Sequence, residues 1–299
     1  MLSIGLGKTW VPPTAFFNPA DEAQWLVVTH LRLPRTLLAI IVGASLGVAG
    51  AVMQGYLRNP LADPGVLGVS TCAALGAVLS LRLGITVEAP WTLPLLAMTG
   101  AALAVILLMA MVGAAGSAIT FILAGVMVSA VAGALTSLVL SLTDDPYAAA
   151  EIINWLMGAL TDRSFDDVLF AGPFAAAGIA LLLTTGRSLD ALSLGEETAR
   201  SLGVRLARLQ LVVAIGVGAA VGACVAAAGV IGFVGLVVPH LLRPFVGEQP
   251  SKLLLPSALA GAALVLAADI AVRLSPGAQE LKLGVAMALF GGPFFLAIL

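Results

Sequence analysis

The chain has 299 residues, 60% of them hydrophobic and only 10% charged, and its mean hydropathy is +1.10. Apolar content on that scale excludes a soluble globular domain and defines a polytopic membrane protein, since no stretch lacking a plausible span is long enough to bury a core of its own. A formal net charge of −2, with 14 basic residues scattered among loops, excludes nucleic acid as a partner.

The first 35 residues hold no complete span. Gly5-Leu6-Gly7-Lys8-Thr9 resembles the end of a phosphate-binding loop, but Leu2 stands where the leading glycine is required and no strand precedes it, so no nucleotide site is expected. The first apolar run, 36 to 56, lies between Arg32/Arg35 and Arg58 and would rise about 30 Å as a helix, the hydrocarbon thickness of a bilayer. Its exit, Arg58-Asn59-Pro60-Leu61-Ala62-Asp63-Pro64-Gly65, cannot continue a helix, and a second run, 61 to 81, begins inside it. Gly43 and Gly47 stand four apart, the spacing that lets helix backbones approach closely, as do Gly218 and Gly222 later in the chain. Gly43 to Gly47 also fits G-x-S-x-G, although an apolar helix cannot form the strand-to-helix elbow of that motif. An intramembrane protease using Ser45 with His240 is therefore only a remote alternative.

Further spans are expected at 91 to 112, 119 to 142 and 168 to 186. Between the last two, 148 to 160 is too short to cross and carries Glu151, Asn154 and Trp155, which suits a helix lying in the interface. The segment 187 to 208 is the most polar after the N-terminus. Gly195 and Gly203 divide it into two short helices, and Glu196 and Arg200 stand four apart in the favourable order on the second. It is longer than a connector needs, which points to contact with a soluble partner. Spans six and seven, 209 to 228 and 229 to 246, need a break at Gly229-Val230-Ile231-Gly232 to separate them. The eighth, 253 to 272, carries Asp269 with Arg273 four residues on, which reads as a structural pair near the interface; the ninth is 281 to 299. Cys72 and Cys224 are expected as packed thiols, and His30 and His240 stand too isolated for a metal site. The positive-inside rule gives seven basic residues on each side; leaving out the N-terminal segment makes it seven to four, which favours a cytoplasmic 187 to 208 loop.

Five segments, LRLPRTLLAIIVGASLGVAGAVMQGYLRNPLADPGVLGVS, INWLMGAL, LSLGEETARSLGV, GVIGFVGLVVPHLLR and ELKLGVAMALFGGPFF, resemble in order and spacing the FecCD/BtuC-type permeases of ABC importers. The likeness extends over residues 25 to 299, with small departures at GVIG (usually GPIG) and ELKLG (usually ELPVG). The resemblance implies an all-α polytopic fold of ten helices with the first largely missing from this chain. Residues 1 to 35 would be an extracytoplasmic segment with the stub of that helix, and 36 to 299 one permease domain. It further implies a bacterial cytoplasmic membrane location and a second permease subunit, expected to be a copy of this chain. Two ATPase subunits would bind ATP and magnesium in place of any cofactor on this chain. A periplasmic or lipid-anchored binding protein would deliver an iron-siderophore, haem or cobalamin.

By the same resemblance, Ser193-Leu194-Gly195-Glu196-Glu197-Thr198-Ala199-Arg200-Ser201-Leu202-Gly203 is the coupling element that sits in an ATPase cleft. Asn59 and Leu61 belong to a cytoplasmic gate, Thr136 and Ser137 face the translocation path, and Arg32, Arg35 and Arg273 meet acids of the binding protein. A secondary transporter or channel, the alternative from composition alone, predicts intramembrane acids or inverted repeats that the sequence does not clearly show.

Overall fold

The computed structural model describes residues 2–7, 10–12, 14, 17, 22–113, 116–276 and 280–298, and every regular element among them is helical. A short turn, α1 (Leu2–Gly5), and α2 (Glu22–Leu26) precede α3 (Leu33–Leu57). A π-helical turn over Val27–Arg32 joins α2 to α3, so the first apolar helix runs from Ala23 to Leu57, 35 residues, and starts well before Thr36. Pro34 is the local cause: it has no N–H to donate to the His30 carbonyl and its ring crowds that oxygen, so the backbone widens there.

Beyond it come α4 (Val69–Arg82), α5 (Thr92–Val112), α6 (Ala118–Ser141), α7 (Pro146–Leu156) and α8 (Phe165–Leu183). They are followed by α9 (Gly186–Ser193), α10 (Glu196–Ser201), α11 (Leu206–Ala228), α12 (Val234–Val246), α13 (Pro250–Arg273) and α14 (Leu283–Ile298). Each expected span has its helix, but among the described residues six are long and apolar enough to cross a membrane; α4, α12 and α14 are shorter. With 14 and 13 residues, α4 and α12 rise only about 20 Å. Both are entered through irregular backbone, which explains why the second span, expected from 61, becomes helical only at Val69. The short helix expected between the fourth and fifth spans is α7, and the polar segment folds as α9 and α10, with Gly195 and Gly203 at φ 105° and 87° as the two breaks.

Burial separates the centre of the bundle from its outer faces. In α3 and α11 78% of the apolar window is buried, against 28% in α5 and α6 and 22% in α8, so the first two are the axis around which the others pack. The Gly43/Gly47 spacing marks a close crossing: a Cβ on either would run into the backbone of Gly261 or Ser257 on α13. Gly218 and Gly222 bring α11 against α5, where a Cβ would come within 2.5 Å of Val105 and 2.6 Å of Ala101. Such close approach supplies the dispersion contacts that drive helix association where lipid removes the hydrophobic difference. Cys72 and Cys224 are buried free thiols, as expected.

Asp190 on α9 ties the polar segment to the start of α13, accepting hydrogen bonds from Ser251 N (2.8 Å) and Gln249 Nε2 (2.8 Å). Partial burial alone would raise its carboxyl, but the bonds from Ser251 and Gln249 and the charge of Lys252 hold it below the ordinary value. A folded pKa below the unfolded one gives stability that is present above the ordinary carboxylate range and lost as pH falls through the folded value. Asp190→Asn is expected to cost about 1 kcal/mol at neutral pH and progressively less below about pH 4. Thermal melts at the two pH values check this, and an equal loss at both would rule out the carboxylate as the cause.

Candidate functional site

The exit of α3 is built from side chains that replace missing backbone bonds. Arg58 takes the left-handed conformation (φ 49°) and its N–H returns to Gln54 O and Gly55 O, closing the helix. Asn59 Oδ1 then accepts from Leu61 N (2.9 Å), and Asp63 Oδ1 accepts from Gly65 N (2.8 Å) to cap a 3-10 turn over Pro64–Leu67. In a membrane protein every freed backbone group needs such a partner, and here two acceptor side chains, each just before a proline, supply it. Asn59 and Leu61 are exposed on this irregular segment.

This exit meets α10. Arg58 Nη2 lies 3.7 Å from Glu196 Oε1, and Arg200 lies 3.9 Å from the other oxygen of the same carboxylate. Both pairs are loose and solvent-accessible, worth at most about 1 kcal/mol, so they define a contact more than a clamp. The i, i+4 pairing of Glu196 with Arg200 was legible in the sequence; the link to Arg58 was not. Gln54, one turn earlier, is buried and holds α12: its Nε2 donates to Gly235 O and Leu236 O (both 3.3 Å), and its Oε1 accepts from Arg243 Nη2 (2.7 Å). Pro239 has no N–H for the Gly235 carbonyl, so the glutamine supplies the donor that α12 lacks.

The opposite end carries a buried ion network. Arg35 bridges Asp269 (Nε–Oδ1 2.8 Å) and Glu280 (Nη2–Oε2 2.8 Å), Arg273 pairs with the second oxygen of Asp269, and Thr161 Oγ1 donates to Glu280 (3.3 Å). Arg273 Nη1 also donates to Ser3 O (2.7 Å), and Arg32 Nη1 donates to Ile4 O (2.8 Å) and Gly5 O (2.7 Å), so α1 lies over the network and gives its terminal carbonyls to the arginines. Arg32, Arg35 and Arg273, expected from the resemblance to meet acids of a binding protein, lie together at this end, where Arg32 is 8% and Arg273 4% exposed and the acceptors nearest all three arginines are this chain's own. Asp269 is the structural pair expected of it, with a second arginine that the local spacing could not reveal.

At this same end three of the motif segments meet as backbone. Ala159 N donates to Ala228 O (2.8 Å) and Gly284 N to Gly158 O (3.1 Å). A Cβ on Gly229 would strike the Trp155 carbonyl, and one on Gly284 would strike that of Met157. The break at Gly229-Val230-Ile231-Gly232 is therefore a packed junction between α7, α11 and α14, with φ at Gly229 of 71°.

Thr136 and Ser137 lie on α6, where their hydroxyls donate to Ala132 O (2.9 Å) and Gly133 O (3.1 Å) of their own helix; Thr136 is half-buried and Ser137 exposed. Ser45 is fully buried inside α3, which leaves a protease nucleophile no access to water or substrate. Among the described residues no group of three His, Cys, Asp or Glu side chains could hold a metal ion.

Broken and full-length apolar helices around two central ones, with a polar helical pair at one end, make this chain a membrane permease. It belongs to the FecCD transport family, whose model matches residues 1–299. It is 40% identical to the uncharacterized ABC transporter permease protein YvrB of Bacillus subtilis, covering 100% of this chain and 89% of that protein. It is 38% identical to the vitamin B12 import system permease protein BtuC of Vibrio cholerae (100% and 89% covered), and 37% identical to the hemin transport system permease protein HmuU of Yersinia pestis (95% and 86%). A solved ABC transporter assigned to the metal-chelate type, in an inward-facing conformation, superposes with a TM-score of 0.88 at 31% identity over 99% of this chain and 93% of that one. The all-helical permease fold read from the five segments is thereby confirmed.

Proposed function

We propose that this chain is one of two permease subunits of an importer driven by two separate ATPase subunits that carry ATP and magnesium. Its cargo is a large metal chelate, an iron-siderophore, haem or cobalamin, received from a substrate-binding protein at the end that holds the ion network. The α10 end faces the cytoplasm, in keeping with the seven-to-four count of basic loop residues, and the membrane is the bacterial cytoplasmic membrane. Relatives named for vitamin B12, hemin and Fe(3+)-citrate support this class of cargo.

The observation that carries the reading is the contact of Arg58 with Glu196. It sets the helix that would dock on an ATPase directly against the broken exit of α3, so that a displacement of residues 193 to 203 reaches Asn59 and Leu61 without passing through the packed core. Those two residues then act as the gate, and the two-fold partner, a second copy of this chain, completes the path, which Thr136 and Ser137 line. In a reconstituted complex, Glu196→Ala with Arg200→Ala is expected to lower transport per ATP hydrolysed by roughly tenfold, a typical size for a lost coupling interaction, while hydrolysis continues. An unchanged ratio would remove α10 from the coupling role.

A further inference from the structure

A cavity of about 560 Å³ opens at the α10 end, between the exit of α3, the start of α6, the α9–α10 pair and the first turns of α11; Tyr56, Ser117, Glu196, Arg200, Arg205 and Gln210 form its polar wall. Three features there offer hydrogen-bond donors without acceptors to match. Gln210 lines the cavity while only 2% exposed, and its Nε2 has no hydrogen-bond partner. A buried amide donor left in that state is costly, and native structures rarely keep one unless a ligand or water meets it. The start of α6, a 24-residue helix, also lies on the cavity; Ser117 Oγ takes up the N–H of Thr120 (3.2 Å), and the remaining first-turn N–H groups favour an anion. Arg200 and Arg205 add two guanidiniums, against the single carboxylate of Glu196, which holds Arg200 only at 3.9 Å.

An amide N–H, a helix start and two guanidiniums all call for an acceptor-rich, negatively charged ligand. We propose that this cavity binds a phosphate group, either as a free oxyanion or as the headgroup of an anionic phospholipid, with Gln210, Arg205 and the start of α6 as its receptor. The inference is independent of the transport reading, since it rests on the cavity alone. An anion seated there draws Arg200 from Glu196 and leaves that carboxylate to Arg58, so occupancy tightens α10 against the exit of α3.

The full chain, purified in neutral detergent, is titrated with inorganic phosphate against chloride at matched ionic strength. In parallel, it is placed in phosphatidylcholine nanodiscs with and without phosphatidylglycerol. A saturable rise in melting temperature of about 2 °C or more is expected in at least one arm. Phosphate identifies a free oxyanion, and a response to phosphatidylglycerol alone identifies a headgroup. Gln210→Leu and Arg205→Gln are each expected to abolish the rise. Gln210→Leu removes the unmet donor and should melt no lower than wild type without ligand, so its loss of response is not a folding defect. No saturable rise in either arm, an equal rise with chloride, or a rise that persists in either variant would overturn the proposal.

Discussion

Replacing Gly47 by leucine is expected to leave no folded subunit. The α3 backbone at this position faces the Ser257 carbonyl of α13 so closely that even a methyl group has no room, and Gly43 repeats the contact one turn earlier against Gly261. The obstacle is backbone, which cannot rotate aside as a side chain can, so the two helices must separate along the whole crossing. That separation forfeits the dispersion contacts that hold helices together in lipid and opens one of the two central helices of the bundle. A cost above about 3 kcal/mol follows, a large share of the stability of a typical domain. Gly133→Ala is the control, since its Cβ would meet only Thr71 Cγ2 at 3.9 Å, an ordinary contact. Gel filtration in detergent followed by thermal melting should show Gly47→Leu as aggregate and Gly133→Ala as native; a native, equally stable Gly47→Leu would refute the close-packed crossing.

What could be read from the sequence was what depends on near neighbours. Nine apolar runs, the short helix α7, the glycine breaks at Gly195 and Gly203, the interruption at Gly229 and the i, i+4 pair of Asp269 with Arg273 all express periodicity or spacing over a few residues. Long-range partners leave no such trace. Arg35 and Asp269 are 234 residues apart, and Gln54 and Arg243 are 189 apart, so the acceptors that hold these arginines come from parts of the chain that local spacing cannot reveal. Hydropathy also misplaced the start of α4: Leu61, Ala62, Val66 and Leu67 are apolar, but Pro60 and Pro64 hold them in turns whose N–H groups are met by Asn59 and Asp63. Apolar content records where a segment can sit, whereas prolines and capping side chains decide where it is helical.

Asp269→Ala should be nearly as damaging as the change at Gly47, for an electrostatic reason. Its carboxylate is fully buried and serves two guanidiniums whose side chains are only 11% and 5% exposed. Removing it takes from Arg273 the acid it is paired with and leaves Arg35 with Glu280 alone, two buried positive charges facing each other, a situation that costs about 3–5 kcal/mol. Charge reversal at Arg35 has the same outcome by the opposite route, since it gathers three carboxylates. A loss of binding-protein docking in such variants would therefore report unfolding at this end of α13, and docking must be measured together with melting. Glu280 separates the two effects, because it lies at the rim of the network. Burial raises its carboxyl, but the hydrogen bond and charge of Arg35, then Thr161 and Arg273, hold it below its ordinary value of 4.5. Its contribution is thus present above pH 4.5 and lost as pH falls through the folded value, so Glu280→Gln should lower the melting temperature at neutral pH and lose that effect in acid. If Asp269→Ala melts with wild type at neutral pH, the network carries no stability, and the arginines are available to a partner's acids at no structural cost.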